Sequence, residues 1–156
     1  MKLSGEQRLE CSVEDAWALV NDPETLRACI PGCEALERSG DGYTASVVLK
    51  VGPVKATFKG DVMLTDLVPP NALRISGKGA GGIAGFAEGG ADVRLAPDGD
   101  GTLLTYDSEA KVGGKLAQLG GRLIDSTAQK LAQQFFANLD RRIRDRAAAG
   151  SPALAG

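Results

Sequence analysis

The stretch GGKLAQLGGRLIDSTAQKLAQQFFANLDRRIRDR, residues 113–146, decides the fold. Its apolar residues recur at spacings of three, four and their sum, with one pair of neighbours, which is the 3.6-residue period of an amphipathic helix. They are Leu116, Leu119, Leu123, Ile124, Leu131, Phe135, Leu139 and Ile143. A helix of ~30 residues is about 45 Å long, so its apolar stripe needs an extensive cover. Because the preceding sequence has mainly strand patterns, we predict that one curved antiparallel sheet wraps this helix.

Two short helices are predicted after a first strand at residues 2–10. Residues 12–15, Ser-Val-Glu-Asp, have the form of a capping box with acidic residues in the first turn. The helix that follows should run through Val20 with Trp17 buried. Asp22 and Pro23 are a second start signal, an N-cap followed by proline at the first helical position, and Pro31-Gly32 ends that helix.

Six further strands are predicted between Cys33 and Val112, because alternating apolar and polar residues are separated there by turn signals rich in Gly, Pro, Asp and Asn. The fold class is therefore α+β: a curved antiparallel β-sheet of about seven strands around a long C-terminal helix, with two short helices after strand 1. We predict a single domain at residues 1–146 and a flexible tail at residues 147–156.

Composition excludes several classes of function. The net charge is −2, so no global basic field would attract nucleic acid. The chain has no histidine, which is the most common general base and metal ligand. No signal peptide or membrane-spanning run is recognisable, and three cysteines without a Cys-x-x-Cys pattern suggest reduced thiols. We therefore expect a cytoplasmic protein.

Reactive side chains are sparse. Cys29 and Cys33 flank Ile-Pro-Gly, but without a histidine to activate them we expect free structural thiols. The strand carboxylates are expected on a solvated face, since charged groups are almost never buried unpaired. No catalytic residue and no metal ligand is predicted. The carboxylates in question are Asp61, Asp66, Asp92, Asp107 and Glu109.

The glycine-rich segment has two interpretations. Residues 77–82, GKGAGG, match G-x-G-x-x-G, but the chain continues as strand, so a dinucleotide site is rejected. Small residues share one strand parity from Gly77 to Ala91, and they would lie on one face if no bulge intervenes. They indicate either a close approach of the long helix or β-bulges, or an inner face hollowed into a ligand cavity. Only seven aromatic residues are available to fill such a space.

Several motifs resemble the G-subunit family of carbon monoxide dehydrogenase, whose members have the helix-grip fold of START-like and birch-pollen-allergen-like proteins. The resemblance covers about residues 2 to 140. The motifs are NDPE at 21–24, CIPGCE at 29–34, VGPVKATFKG at 51–60, GFA at 85–87, GGAD at 89–92, VGGKLAQLG at 112–120 and RLID at 122–125.

This resemblance implies a non-catalytic accessory protein. Its partner would be an aerobic molybdenum-containing carbon monoxide dehydrogenase or a related molybdenum hydroxylase. Its cavity would bind a quinone- or lipid-like molecule, with no covalently bound cofactor, and it would assist membrane recruitment or electron transfer through peripheral contact with the inner face of the cell membrane. Two alternatives stay open: an enzyme of the same fold (hydrolase, cyclase or dehydratase) acting on a small hydrophobic substrate, and an assembly factor with a collapsed core.

The candidate ligand-binding residues are apolar positions on the two helices and the inward strand parity. At the cavity mouth we expect Leu26, Ile30, Phe86, Leu116, Leu119 and Leu123, and lining the chamber Phe58, Ile75, Tyr106, Leu123 and Phe135. The basic last turn of the helix, residues 140–146, complements the helix dipole or docks on an anionic membrane or an acidic partner.

Overall fold

The computed structural model describes the backbone of residues 2–155 and the side chains of residues 2–147. The chain forms seven strands and three α-helices within that range. In order they are β1 (Lys2–Leu9), α1 (Val13–Val20), α2 (Pro23–Cys29), β2 (Cys33–Ser39), β3 (Gly42–Val51), β4 (Val54–Val68), β5 (Ala72–Ala80), β6 (Phe86–Asp98), β7 (Gly101–Gly113) and α3 (Gly121–Ala155).

The two short helices begin where their capping residues predict. The Ser12 hydroxyl accepts a hydrogen bond from the Asp15 backbone N–H over 3.1 Å at the start of α1. The Asp22 carboxylate accepts one from the Glu24 N–H over 3.3 Å at the start of α2, and Pro23 occupies the first helical position. Each cap satisfies a backbone donor that the helix itself cannot. Trp17 on α1 is only half-buried, less than predicted.

The seven strands form one curved antiparallel sheet in the order β1-β7-β6-β5-β4-β3-β2. Only β1 is out of sequential order, because it pairs with the last strand, Gly5 opposite Tyr106. The helices α1 and α2 therefore carry the chain from one edge of the sheet to the other. This arrangement confirms the predicted fold class.

The helix α3 is held at two places on the inner face of the sheet. Towards its C-terminal end, Leu139 and Ile143 join a buried cluster with Leu9, Leu95 and Leu104. Near its start, Leu123 and Ile124 pack against a second cluster, formed by Val51, Phe58, Ala84 and Leu116. A third cluster, Leu26, Leu36 and Tyr43, lies where α2 meets the sheet.

The helix begins later than predicted, at Gly121 instead of near Gly113. Residues 114–120 form a turn that contains a short 3₁₀ segment, Ala117–Leu119. Gly114 (φ +71°) and Gly120 (φ +93°) adopt backbone conformations that do not occur inside a right-handed helix. The Leu116 N–H donates to the Ala84 carbonyl over 3.0 Å, so this turn is fixed by a distant segment. The helix also continues to Ala155, beyond its predicted end at about Arg146, and the flexibility of residues 147–156 stays a prediction.

The glycine-rich strand pattern is interrupted by a turn. β5 ends at Ala80 and β6 begins at Phe86, with a 3₁₀ segment at Gly82–Ala84 between them. In the sequence, every second residue from Gly77 to Ala91 would lie on the same face of a strand pair. The turn breaks this alternation, and Ile83 is 87% exposed instead of lying on the inner face. The turn requires glycine at position 85 (φ +108°), where a Cβ would lie 2.0 Å from the Gly113 carbonyl oxygen.

Candidate functional site

An apolar cavity of about 430 Å³, the main cavity, lies between the sheet, α2 and the middle of α3. Each of these elements directs apolar side chains into it, because the inward parity of each strand and one face of α3 meet there. Its helical side is formed by Ala128, Leu131, Ala132, Phe135 and Phe136, and its other apolar side chains are Leu3, Val20, Leu26, Ile30, Leu64, Leu73, Ile75, Ala91, Val93, Leu104, Tyr106 and Ala110.

A second cavity of about 340 Å³ adjoins the main cavity. Ile30, Gly89, Ala110 and Leu131 border both spaces, so they form a continuous apolar region under α3. The second cavity reaches towards β3 and β4, where Ala45, Val47, Leu49, Phe58 and Val62 line it.

The glycines of the inner face border these cavities. Gly77 and Gly79 line the second cavity and Gly89 lines both. The atoms nearest to a Cβ added at these positions belong to neighbouring strands, for example the Lys59 carbonyl oxygen 3.5 Å from position 79, and none belongs to α3. Close approach of the long helix is therefore not the reason for these glycines.

Six of the ten predicted ligand residues border the two cavities. Leu26, Ile30, Ile75, Tyr106 and Phe135 line the main cavity, and Phe58 lines the second. A ligand-binding role for each of the ten residues stays a prediction.

The other four predicted residues are not brought to either cavity. Phe86 has the outward parity of β6, is 44% exposed and lies against Gly113. Leu116, Leu119 and Leu123 pack in the cluster around Val51 near the start of α3. Leu116, Leu119 and Leu123 therefore close one end of the grip, because the turn before Gly121 and the first turn of α3 pack against β3 and β4.

Sequence reasoning missed several lining residues. Leu131 and Leu73 lie on predicted apolar stripes, but only their position along the helix or strand puts them at the cavity. Phe136 was not predicted because only its neighbour Phe135 was assigned to the apolar stripe. Both residues line the main cavity, and their rings meet edge to face with centroids 5.3 Å apart. Phe136 also stacks on Tyr106, with ring centroids 5.2 Å apart. Adjacent helix positions point about 100° apart, so both can reach one cavity where the apolar face of the helix is at least that wide.

Charged groups lie mainly on the outer face of the sheet. Arg74 forms ion pairs with Asp92 and with Glu109. Hydrogen bonds from Ser4 and Arg94 hold the pKa of Asp107 below its usual value. The five strand carboxylates are exposed, as predicted, and within the described residues no three potential ligands cluster to hold a metal ion.

The three cysteines are free thiols. Burial raises the pKa of Cys29 and Cys33, and burial together with the Asp15 charge raises the pKa of Cys11 to about 11. They are protonated at neutral pH and poor nucleophiles, which agrees with the predicted structural role.

A curved antiparallel sheet that grips a long helix over an apolar cavity defines the helix-grip, START-like class of ligand-binding folds. Within that class the chain belongs to the carbon monoxide dehydrogenase G-subunit (CoxG) family, whose model matches residues 5–144. A conserved protein from Geobacillus kaustophilus has 32% identity and a TM-score of 0.87, with 94% of this chain and 97% of that chain covered.

More distant structures share the fold alone. A protein from Thermus thermophilus has 19% identity and a TM-score of 0.67, covering 96% of this chain and 99% of its own. An aromatase/cyclase from a Streptomyces species has 13% identity and a TM-score of 0.65, covering 96% of this chain and 97% of its own. No curated protein matches the chain significantly.

Proposed function

We propose that this protein binds a hydrophobic, quinone- or lipid-like molecule in the main cavity as a non-catalytic accessory protein. Its partner would be an aerobic molybdenum-type carbon monoxide dehydrogenase or a related molybdenum hydroxylase. The observation that carries this proposal is the main cavity, about 430 Å³ of space lined almost entirely by apolar side chains inside the grip.

The size and chemistry of this space support an apolar ligand. Small-molecule sites commonly measure about 300–1,000 Å³. A hydrocarbon chain gains about 0.8 kcal/mol for each methylene group that it buries, so a long chain needs no charged anchor. Leu26, Leu131 and Phe135 offer such a chain contacts on the helical side.

Family membership supports the partner. The family is named for a component of carbon monoxide dehydrogenase, and a bound quinone would take the two electrons and two protons that such an oxidation releases. No helix in the described part of the chain is both long and apolar enough to cross a membrane. In this proposal, a ligand is collected from the membrane through peripheral contact.

The chemistry of the cavity supports a binding role over an enzymatic one. The chain has no histidine, and the raised pKa of each thiol disfavours nucleophilic attack at neutral pH. Glu109, at the edge of the main cavity, is paired with Arg74.

Native mass spectrometry of protein purified from its own host tests the proposal. We expect a mass excess that solvent extraction removes and that proves to be a long-chain apolar compound. Purified molybdenum hydroxylase should then reduce quinone loaded on the protein faster than the same quinone dispersed in detergent. Protein that stays free of ligand even after incubation with quinones and lipids would leave the assembly-factor alternative.

A further inference from the structure

A third open space adjoins the main cavity on the side of the edge strand β1. This space, the β1–α3 cleft, has a volume of about 650 Å³ and lies between β1 and the outer part of α3. Leu3, Tyr106, Ala132 and Phe136 border both the cleft and the main cavity. The stacked rings of Tyr106 and Phe136 therefore stand at the boundary between a polar and an apolar compartment.

The lining of the cleft is polar, and both of its arginines are paired with carboxylates. Arg8 is paired with Glu10, Asp98 and Asp100, and Arg144 is paired with Asp140 over 2.9 Å. The acidic lining residues are Glu6, Glu10 and Asp140, against the two arginines. With one more carboxylate than guanidinium, the cleft disfavours an anionic group such as a phosphate or a fatty-acid carboxylate.

Neutral donors also line the cleft. Gln129 and Gln133 lie four residues apart on α3, so both point from the same helix face into the cleft. Neither amide, nor the Tyr106 hydroxyl, forms a hydrogen bond among the described residues. These groups can donate to carbonyl oxygens.

Tyr106 owes its position to the glycine opposite it. Gly5 faces Tyr106 in the β1–β7 register, and a Cβ at Gly5 would lie 2.6 Å from the tyrosine hydroxyl oxygen. The ring therefore extends across β1 because the edge strand has no side chain at that position. Glycine destabilises a strand relative to alanine. At position 5 it nevertheless has a structural effect, because the missing side chain leaves space for the Tyr106 hydroxyl.

We propose that the β1–α3 cleft is the head-group site of an amphiphilic ligand, and that the head is a neutral group with carbonyl acceptors. The apolar chain enters the main cavity past Tyr106 and Phe136, and the head stays in the cleft, where Gln129, Gln133 and the Tyr106 hydroxyl donate to it. The ring pair offers a flat face on which a conjugated head can stack. This inference rests on the proposed function of the main cavity and adds the class and position of the head group.

Three probes test it on the full-length chain. Decylubiquinone has a carbonyl-bearing head and an apolar chain, diphenylhexatriene has no hydrogen-bonding atom, and dodecanoate has an anionic head. Quinone binding is followed by quenching of Trp17, the single tryptophan, which packs against the same buried cluster as Tyr106 and Phe136 do. Diphenylhexatriene is followed by its own fluorescence, and dodecanoate by displacement of it.

Tyr106→Phe and the double variant Gln129→Leu/Gln133→Leu should each raise the Kd of decylubiquinone about fivefold or more, as expected for lost hydrogen bonds. The Kd of diphenylhexatriene should change less than twofold. Gln134→Leu is the matched control, because Gln134 is exposed on α3 and does not line the cleft. Dodecanoate should bind more weakly than decylubiquinone.

The possible failures differ. If both neutral probes bind but the variants keep wild-type affinity for decylubiquinone, or if dodecanoate binds more tightly, the head-group site is wrong while the cavity proposal stands. Equal loss of both neutral probes in the variants would also overturn the head-group site, since the change would then affect the cavity as a whole. If neither neutral probe binds to the wild type, both proposals fail.

Discussion

The guanidinium Nε of Arg142 on α3 donates a hydrogen bond to the Thr25 hydroxyl oxygen on α2 over 3.1 Å. The same hydroxyl donates to the Asp22 carboxylate over 2.9 Å, and Asn138 donates to the Cys29 carbonyl over 3.0 Å. Thr25 is 1% exposed, and its neighbour Leu26 lines the main cavity. These bonds therefore hold α2 against α3 and keep Leu26 over the cavity.

We predict that Thr25→Val lowers the free energy of unfolding by about 1–3 kcal/mol, because valine has the same shape but removes the hydrogen bonds that this buried hydroxyl makes with Arg142 and Asp22. Urea unfolding followed by circular dichroism measures the change. Thr57→Val, at an exposed position of β4, is the control and should stay within about 0.5 kcal/mol of the wild type. Equal stability of the two variants would contradict the proposed connection between α2 and α3.

Two glycines in the turn between β5 and β6, Gly82 and Gly85, should differ in how much stability their replacement by alanine costs. Gly85→Ala should destabilise the protein by more than about 2 kcal/mol, because its backbone conformation is nearly restricted to glycine and its Cβ would meet the Gly113 carbonyl oxygen at 2.0 Å. Gly82→Ala should lower the stability by only about 1 kcal/mol, since its φ of +62° is strained for alanine but the surrounding space is open. Thermal unfolding of both variants provides the measurement, and the reverse order would show that the turn is packed differently.

Amide hydrogen exchange should distinguish the turn before α3 from the helix itself. Residues 113–122 lie mostly between β7 and α3, include Gly114 and Gly120 at positive φ, and form only a short 3₁₀ segment before Gly121. We expect their amides to exchange faster than those of residues 125–140. Uniform protection across both ranges would rule out an opening of the grip at this end.

Alkylation of Cys11 should depend on pH in a defined way. Burial and the Asp15 charge raise its pKa from 9.0 to about 11, and the reactive thiolate fraction rises about tenfold per pH unit below the pKa. The iodoacetamide rate of the folded protein should therefore still be rising between pH 9 and 10. In the denatured protein the rate should begin to level off near pH 9. A plateau near pH 9 in the folded protein would mean that the thiol is not buried as described.

The elements that depend on local chemistry were predictable from the sequence. The apolar stripe of Leu131, Leu139 and Ile143 predicts α3, and Ser12 and Asp22 predict the starts of the short helices. The start of α3 was not predictable, because it depends on the bond between Leu116 and Ala84, which are far apart in the chain. Without that contact, the glycine-containing apolar stripe at residues 113–120 is as compatible with a helix as with the turn that the structure has.

The candidate site was predictable only in part for a similar reason. Inward parity identifies Ile75 and Tyr106, but parity alone cannot show that β5 and β6 are separated by a turn that exposes Ile83. The cleft beside β1 requires Gly5 to be paired with Tyr106, a register between the first and last strands. No local pattern in either strand specifies that pairing.

The most direct test of the central claim, that the main cavity holds an apolar ligand, is a titration of Trp17 fluorescence with decylubiquinone. The comparison uses wild type, Ala91→Leu and Ala96→Leu. Ala91 lines the main cavity, whereas Ala96 is exposed on the outward parity of the same strand. Both variants should first be shown to unfold cooperatively. We predict saturable quenching in the wild type and in Ala96→Leu, and a Kd raised about tenfold or more in Ala91→Leu, because the added side chain occupies the ligand's space. Absence of saturable binding in the wild type, or equal affinity in all three proteins, would contradict the account.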